Sequence, residues 1–196
     1  MMLFEDKPRS HRLHGPFGTH GRAVAATMSV LALSLALGAC SAPKQEYDIP
    51  TSLCGTKVSP DVLRPLLPAG ENVSFRATRG SGARRCYVNV DGKAALAAAV
   101  EWYEQGSTLN YVATNTIGVE PGDKETSDKR YMYSSTGAIG RVKCVDPRKI
   151  DKDTDGELFT SIRIEGEPAT ESQILALITD YTDAMADSAA CRGDIW

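Results

Sequence analysis

Histidine is scarce in this chain of 196 residues, and the three that occur are His11, His14 and His20. No imidazole follows residue 20. Imidazole is the usual general base near neutral pH and the commonest zinc ligand in proteins. The rest of the chain therefore cannot form a Ser-His-Asp triad, a Cys-His pair or a histidine-based zinc-hydrolase site.

Long hydrophobic runs are also missing. The longest covers residues 23–36, about 14 residues, whereas a helix that crosses a bilayer needs about 20. Arg22 stands directly before the run, and Lys7, Arg9 and Arg12 precede it. A basic segment followed by a short apolar one is typical of a signal peptide. No Arg-Arg pair precedes the run, which favours the Sec route over twin-arginine export.

The residues after the apolar run match a bacterial lipobox. Residues 37–40 are Leu-Gly-Ala-Cys, an aliphatic residue and two small ones before a cysteine. We therefore expect residues 1–39 to be a lipoprotein signal peptide and Cys40 to carry a diacylglycerol. Two acyl chains would hold the protein on the extracytoplasmic face of the cell membrane.

Once that segment is removed, the chain has fewer basic than acidic side chains. Residues 40–196 hold 18 basic and 23 acidic side chains, a net charge of about −5. This acidity argues against a nucleic-acid partner. Residues 80–82, Gly-Ser-Gly, lack the third glycine of a dinucleotide fingerprint, and neither a P-loop nor a G-x-S-x-G motif occurs. No cofactor is expected.

Four cysteines remain after Cys40. An even number on the oxidising side of a membrane indicates two disulfides, for which three connectivities exist. A zinc site is the alternative, but the chain has no C-x-x-C pair. We expect Cys54 to pair with Cys86 and Cys144 with Cys191, because Cys191 extends the apolar stripe of the last helix towards the sheet.

Polarity and periodicity divide the mature chain. Residues 40–53 are polar with two prolines and are expected to be a flexible tether, and residues 54–196 a globular domain. Ser59, Pro60 and Asp61 predict the start of a one-turn helix. Asp91 and Gly92 predict a hairpin turn, and residues 121–129 an exposed loop. Strands are predicted over residues 72–79, 86–90, 94–103, 111–113, 141–145 and 158–164. The alanines of residues 94–103 also suit a helix, but alternation and the preceding turn favour a strand.

The C-terminal helix has the clearest pattern. Thr170 and Gln173 form a capping box, and an apolar stripe follows at three- and four-residue spacing. Its members are Ile174, Leu177, Ile178, Tyr181, Ala184, Met185 and Ser188. The predicted fold is α+β, a single disulfide-linked domain with an antiparallel sheet of five or six strands packed on one face by this helix.

These segments together resemble a family of secreted lipoproteins. The lipobox, CGTKVSPDVLRPLLPAG, RRCYVNVDG, GRVKC and the helix ending in SAAC are similar to lipoproteins of Streptomyces and related actinobacteria, and more distantly to DUF3558-type lipoproteins. The resemblance covers most of residues 40–191. It implies export, lipid attachment and a cysteine-linked core, and it implies no catalytic residues.

Two charged segments are candidate ligand sites. Asp151, Asp153 and Asp155 match the first half of an EF-hand loop, but position twelve is Ile162 instead of glutamate. A calcium loop of another kind and a solvated turn are the alternatives. Four arginines flank Gly80 and Gly82 and are either an anion-binding cluster or solvated charges: Arg76, Arg79, Arg84 and Arg85.

Catalytic and aromatic candidates are fewer. Glu101 and Glu104 would face opposite sides of a strand, so they do not form a carboxylate pair. Trp102, Tyr103 and Tyr111 either line a pocket or belong to the core.

The sequence therefore predicts a non-enzymatic binding or interaction module at the cell envelope, whose partner is an envelope protein. A carrier of a small apolar ligand or lipid is the first alternative. An enzyme that uses carboxylates or calcium is the second.

Overall fold

The structure, a computed structural model, describes residues 44–80, 82–144 and 155–192. Three of the candidate site residues lie outside this part of the chain: Cys40, Asp151 and Asp153.

Antiparallel strands make up most of the described fold. They are β1 (Ser52–Leu53), β2 (Thr56–Lys57), β3 (Val73–Gly80), β4 (Ala83–Val90), β5 (Lys93–Glu104), β6 (Lys124–Glu125), β7 (Tyr131–Tyr133), β8 (Gly137–Arg141) and β9 (Gly156–Ile164). Seven of them form one sheet in the order β3-β4-β5-β9-β8-β7-β6, and β1 pairs with β2 separately. The prediction of five or six strands was too low, because β6 and β7 are too short for an alternating pattern.

The long strands agree with the sequence prediction. The segment predicted as 94–103 is a strand, and the turn between β4 and β5 has positive φ at Asp91 (48°) and Gly92 (77°). Two positive φ values in a two-residue turn are typical of a type I′ hairpin. Tight pairing across this turn explains why the alanine-rich β5 is extended instead of helical.

Within the described ranges, five helical segments connect and cover the strands. They are α1 (Pro60–Leu63), a 3₁₀ helix (Arg64–Leu66), α2 (Leu109–Ala113), α3 (Glu171–Ala186) and a second 3₁₀ helix (Ala189–Arg192). Ser59 caps α1 as predicted. None of the helices in the described ranges is long and apolar enough to cross a membrane.

Two strand predictions were wrong in place or type. The segment 111–113 belongs to α2, which begins because Thr108 Oγ1 accepts a hydrogen bond from the Tyr111 amide at 3.1 Å. The strand predicted over 141–145 ends at Arg141 and begins earlier, at Gly137. The first part of this strand was not predicted, because it contains two glycines and glycine has low strand propensity.

Helix α3 packs on β7, β8 and β9. The predicted capping box is present, and the helix buries a stripe of side chains: Ile174, Leu177, Ile178, Tyr181, Thr182 and Met185. Gly140 of β8 allows a close approach, since a Cβ there would lie 2.1 Å from Thr182 Oγ1. The hydroxyls of Thr160 and Thr182 lie 2.6 Å apart at this contact, and both residues are fully buried.

The sheet carries a second, smaller core on its other face. Helix α2 and the segment after it cover β7, β8 and β9 there with seven buried residues: Leu109, Val112, Ala113, Val119, Met132, Ile139 and Phe159. The sequence predicted cover on one face only. On the α3 side the main core is continuous from β4 to β9.

Both expected disulfides are formed. Cys54 bonds to Cys86 with a Cα–Cα distance of 5.6 Å, and Cys144 bonds to Cys191 with one of 5.2 Å. The first joins the β1–β2 turn to β4. The second joins the segment after β8 to the 3₁₀ helix at the end of α3.

Part of the expected tether lies on the domain. Gln45 and Gly70 form a parallel bridge, and the Gln45 side chain donates to the carbonyls of Arg64 (3.0 Å) and Leu67 (2.6 Å). Tyr47 packs against the main core, and Leu53 is fully buried. Among the described residues, the ordered domain therefore begins before Cys54, because apolar side chains in this polar segment find partners in the core.

Candidate binding surface

The face of the sheet that carries α2 is open over β3, most of β4 and the middle of β5. Strand register aligns side chains of this face in two rows that run from β3 to β9. The first row is Arg76, Tyr87, Ala97 and Arg163. The second is Thr78, Arg85, Ala99 and Ser161. We refer to these eight residues as the open face.

Small side chains form the floor of the open face. Ala97, Ala99 and Ser161 are half-buried and lie between the longer side chains of β3 and β4 and Arg163 of β9. A cavity of about 150 Å³ lies above this floor and is bounded on one side by residues 115–117. Ile117, in that segment, is 72% exposed. The result is a shallow depression with an apolar side chain on its rim.

Arginines surround the depression and already have partners. The Arg76 guanidinium lies 4.3 Å from the centre of the Tyr87 ring. Arg85 forms an ion pair with Glu101 at 3.5 Å, and Arg163 forms one with Glu165. Arg85 is 45% exposed, and an ion pair of an exposed side chain contributes up to about 1 kcal/mol, so a ligand can replace Glu101 as its partner.

The structure does not bring the four candidate arginines together. Arg76 and Arg85 project on the open face, whereas Arg79 and Arg84 are opposite each other in the register and line a cavity on the other face. Strand alternation explains the division, because neighbouring residues point to opposite sides. Their spacing in the sequence had predicted that all four lie together around one loop.

Glu101 is the perturbed carboxyl next to the open face. Burial raises its pKa above the ordinary 4.5, and the Arg85 charge and a hydrogen bond from Tyr103 oppose that rise. Burial also raises the pKa of Tyr103 to about 12, with the Glu101 charge adding to it. Glu104 is exposed at the end of β5. The raised pKa of Glu101 could not be predicted from local pattern, because it results from burial in the folded sheet.

The three candidate aromatics lie in different surroundings. The Tyr103 ring makes edge contacts with Phe159 at 5.5 Å and Tyr111 at 6.2 Å, measured between ring centres. Tyr111 is 57% exposed. Trp102 packs against the main core, where its buried Nε1 has no hydrogen-bond partner among the residues described. The three do not line one pocket.

A second concavity lies at the end of the sheet, next to the N-terminus of α3. We call it the terminal groove. It has a volume of about 840 Å³, and much of its lining is apolar. Among the residues that line it are Leu66, Leu67, Val90, Ala95, Ile164 and Ala169.

Asp155 is the only candidate calcium ligand within the described ranges. Its backbone carbonyl accepts a hydrogen bond from the Gln105 amide at 2.8 Å, which joins the start of β9 to the end of β5. Within those ranges, no group of three or more His, Cys, Asp or Glu side chains is placed to hold a metal ion. The calcium hypothesis stays a prediction, because Asp151 and Asp153 lie outside them.

Comparison of the chain with protein-family models, with curated proteins and with solved structures finds no match.

Proposed function

We propose that this protein is a lipoprotein anchored through Cys40 on the extracytoplasmic face of the cell membrane, where it binds another envelope protein without catalysing a reaction. The signal-peptide pattern, the lipobox and the actinobacterial resemblance support the anchor. The observation that carries the binding role is the open face, where α2 and the segment after it leave arginine and tyrosine side chains of β3 and β4 partly exposed.

The composition of the open face suits a protein partner. Arginine and tyrosine are enriched in protein interfaces, where they combine apolar contact area with directed hydrogen bonds. Arg76 stacked on Tyr87 provides such a surface, and the alanine floor beside it leaves room for a side chain of the partner. Ile117 adds an exposed apolar contact on the opposite rim.

The anchor is tested by replacing its cysteine. We expect Cys40→Ala to move the protein from the membrane fraction to the soluble extracytoplasmic fraction, because the acyl chains contribute about 0.8 kcal/mol per buried CH₂ group. Labelling with a radioactive fatty acid should disappear in the same variant. Equal membrane retention of the unlabelled variant would show that lipid on Cys40 is not the anchor.

The binding role is tested by site-specific photo-crosslinking in cells. A photoreactive phenylalanine analogue at Ile117 reports on the open face, and the same analogue at Ala176, exposed on α3, is the matched control. We expect a discrete crosslinked protein from position 117 that position 176 does not give. Identical products from the two positions, or none from position 117, would contradict a binding role for this face.

The terminal groove supports a second candidate function, the carriage of a small apolar ligand or lipid. Its volume of about 840 Å³ lies in the range of ligand pockets. Native mass spectrometry of the mature domain from its own membranes should then show a retained small mass. Ala94→Trp would fill the groove and displace the bound ligand, and Ala176→Trp, outside the groove, is the control. A bare domain in every preparation would refute the carrier.

The same spectra address the enzyme alternative. A mass increase that requires calcium would support a metal site at Asp151, Asp153 and Asp155, and its absence at millimolar calcium would exclude that site.

A further inference from the structure

The two edges of the seven-stranded sheet differ strongly. Strand β6 forms one edge with only two residues, Lys124 and Glu125, and Lys124 Nζ is held by Glu171 at 2.6 Å. Strand β3 forms the other edge with eight residues, of which seven are exposed. Short length and charge protect an edge from pairing with another chain. β6 has both protections, whereas β3 is long.

Strand β3 also lacks two further protective devices, a proline and a bulge. It contains no proline, and the irregularity in this part of the sheet lies at Val88 and Asn89, between β4 and β5. All eight residues of β3 pair with β4 in one continuous register. An extended, regular edge is a template for an additional strand.

The hydrogen-bond pattern shows which backbone groups are available. The Asp91 amide donates to the Asn72 carbonyl at 2.9 Å, just beyond the first pair of the ladder. Residues of an antiparallel strand alternate between bonding to the partner and facing away from it. Ser74, Arg76 and Thr78 therefore bond to β4, and the N–H and C=O groups of the alternate residues point outward. These are Val73, Phe75, Ala77 and Arg79.

The same outward residues offer side-chain contacts beside the edge. Phe75 is 48% exposed. With Ala77 and Arg79 it lines a cavity of about 330 Å³ that continues to the Cys54–Cys86 disulfide. Peptides that add to a sheet gain affinity from backbone hydrogen bonds and specificity from pockets that take alternate side chains. This cavity is such a pocket.

Charge identifies the kind of strand that fits. β3 carries Arg76 and Arg79 and no acidic residue, and Arg84 and Arg85 lie next to it on β4. The chain as a whole has a net charge of −3, so this edge is a local basic region. A second copy of β3 would place arginines against arginines, and like charges across a strand pair are destabilising. An acidic strand would be attracted.

We propose that β3 binds an extended acidic segment of a partner protein as an eighth strand of the sheet. This inference rests on the proposed function, because it names the chemistry of the partner. The partner strand pairs with the outward groups of β3. Its carboxylates lie near Arg76 on the open face, and one of its apolar side chains enters the cavity beside Phe75 on the other face.

The experiment uses two peptides and hydrogen exchange. The probe is a blocked nine-residue peptide that alternates glutamate with valine and threonine, and the reference peptide has lysine in place of glutamate. We expect the acidic peptide alone to slow exchange at the outward amides of Phe75, Ala77 and Arg79 in the disulfide-bonded domain. Equal binding of the lysine peptide, protection at other strands, or no protection would overturn the proposal.

A proline variant separates edge pairing from general damage. Ala77→Pro removes an outward N–H and leaves the bonds to β4 intact, since proline is tolerated on the open side of an edge strand. It should weaken binding of the acidic peptide by about tenfold or more, because one backbone hydrogen bond to the peptide is lost and the adjacent ones are disturbed. Ala77→Val keeps the N–H and is the matched control. Equal binding by the two variants would refute strand addition.

The two proposals fail in different ways. If Ala77→Pro, with unchanged circular dichroism and melting temperature, leaves the crosslink from position 117 intact and the peptides do not bind, the open face binds a partner and the strand inference is wrong. If peptide pairing is found without any crosslink from position 117, the edge is the binding element and the open face is not.

Discussion

Substitution of Gly140 by alanine should be severely destabilising, because this glycine sets the distance between α3 and the sheet. An added Cβ would lie 2.1 Å from Thr182 Oγ1, 3.0 Å from Thr160 Oγ1 and 3.1 Å from Thr182 Cβ. The first contact is impossible without movement. Gly140 is on a buried strand and Thr182 is on the buried side of the helix, so neither can move aside into solvent.

The cost follows from overpacking. Extra methyl groups in a packed core cost about 1–3 kcal/mol, and the 2.1 Å contact predicts a value near the upper end, about 3 kcal/mol. Thr182→Ala removes the hydroxyl that clashes and should itself cost about 1–2 kcal/mol, for its methyl group and its hydrogen bond to Thr160. The double variant should then be about 1–2 kcal/mol more stable than the sum of the two single changes predicts.

Urea denaturation of the oxidised domain, followed by circular dichroism, measures these free energies of unfolding. Gly166→Ala is the matched control, because a Cβ at Gly166 meets no atom within 4 Å. If Gly140→Ala is tolerated as well as Gly166→Ala, or if Thr182→Ala gives no rescue, α3 does not contact β8 in the way described.

Three further measurements examine the covalent links and the charges. Replacing Cys144 and Cys191 together by alanine should lower the free energy of unfolding by about 4 kcal/mol, since the bridge spans 47 residues of sequence; a loss below about 1 kcal/mol would contradict a structural role. Because burial holds the pKa of Glu101 above 4.5, the folded state binds a proton on Glu101 more tightly than the unfolded chain does. The contribution of Glu101 to stability should therefore fall as the pH rises through its folded-state pKa. In an NMR titration, Arg85→Gln should raise the Glu101 midpoint further and Arg84→Gln, on the other face, should not; equal shifts would refute the assigned ion pair.

Local signals predicted the elements that depend on neighbours in sequence. The capping box at Thr170, the cap at Ser59 and the turn at Asp91 were all identified correctly, because each needs only a few adjacent residues to form. The alternation of apolar and other side chains along β5 and β9 likewise predicted two strands. The pairing of Cys144 with Cys191 was also predicted correctly, although α3 ends at Ala186 and Cys191 lies in the 3₁₀ helix that follows it.

Features that depend on contacts distant in sequence were not predicted. Gly137 and Gly140 look unsuitable for a strand, yet β8 requires small residues where α3 and the segment near Gly118 approach closely. The open face could not be predicted either. Its rows join residues from four strands, and their alignment depends on the register in which those strands pair. The arginines show the same limit. Adjacent in sequence, Arg84 and Arg85 lie on opposite faces.

If β3 binds a strand as proposed, the unequal edges of the sheet limit how many partners the domain can bind. A sheet with two open edges can bind a neighbour on each side and grow into a polymer, as in fibrils. Of the two sheet edges in the described part of the chain, β3 alone is long enough to accept a strand, and β6 ends the sheet after two charged residues. Strand addition would therefore give a complex of one domain with one segment. Such a protein can sit at high density on a surface and still form only discrete, one-to-one assemblies.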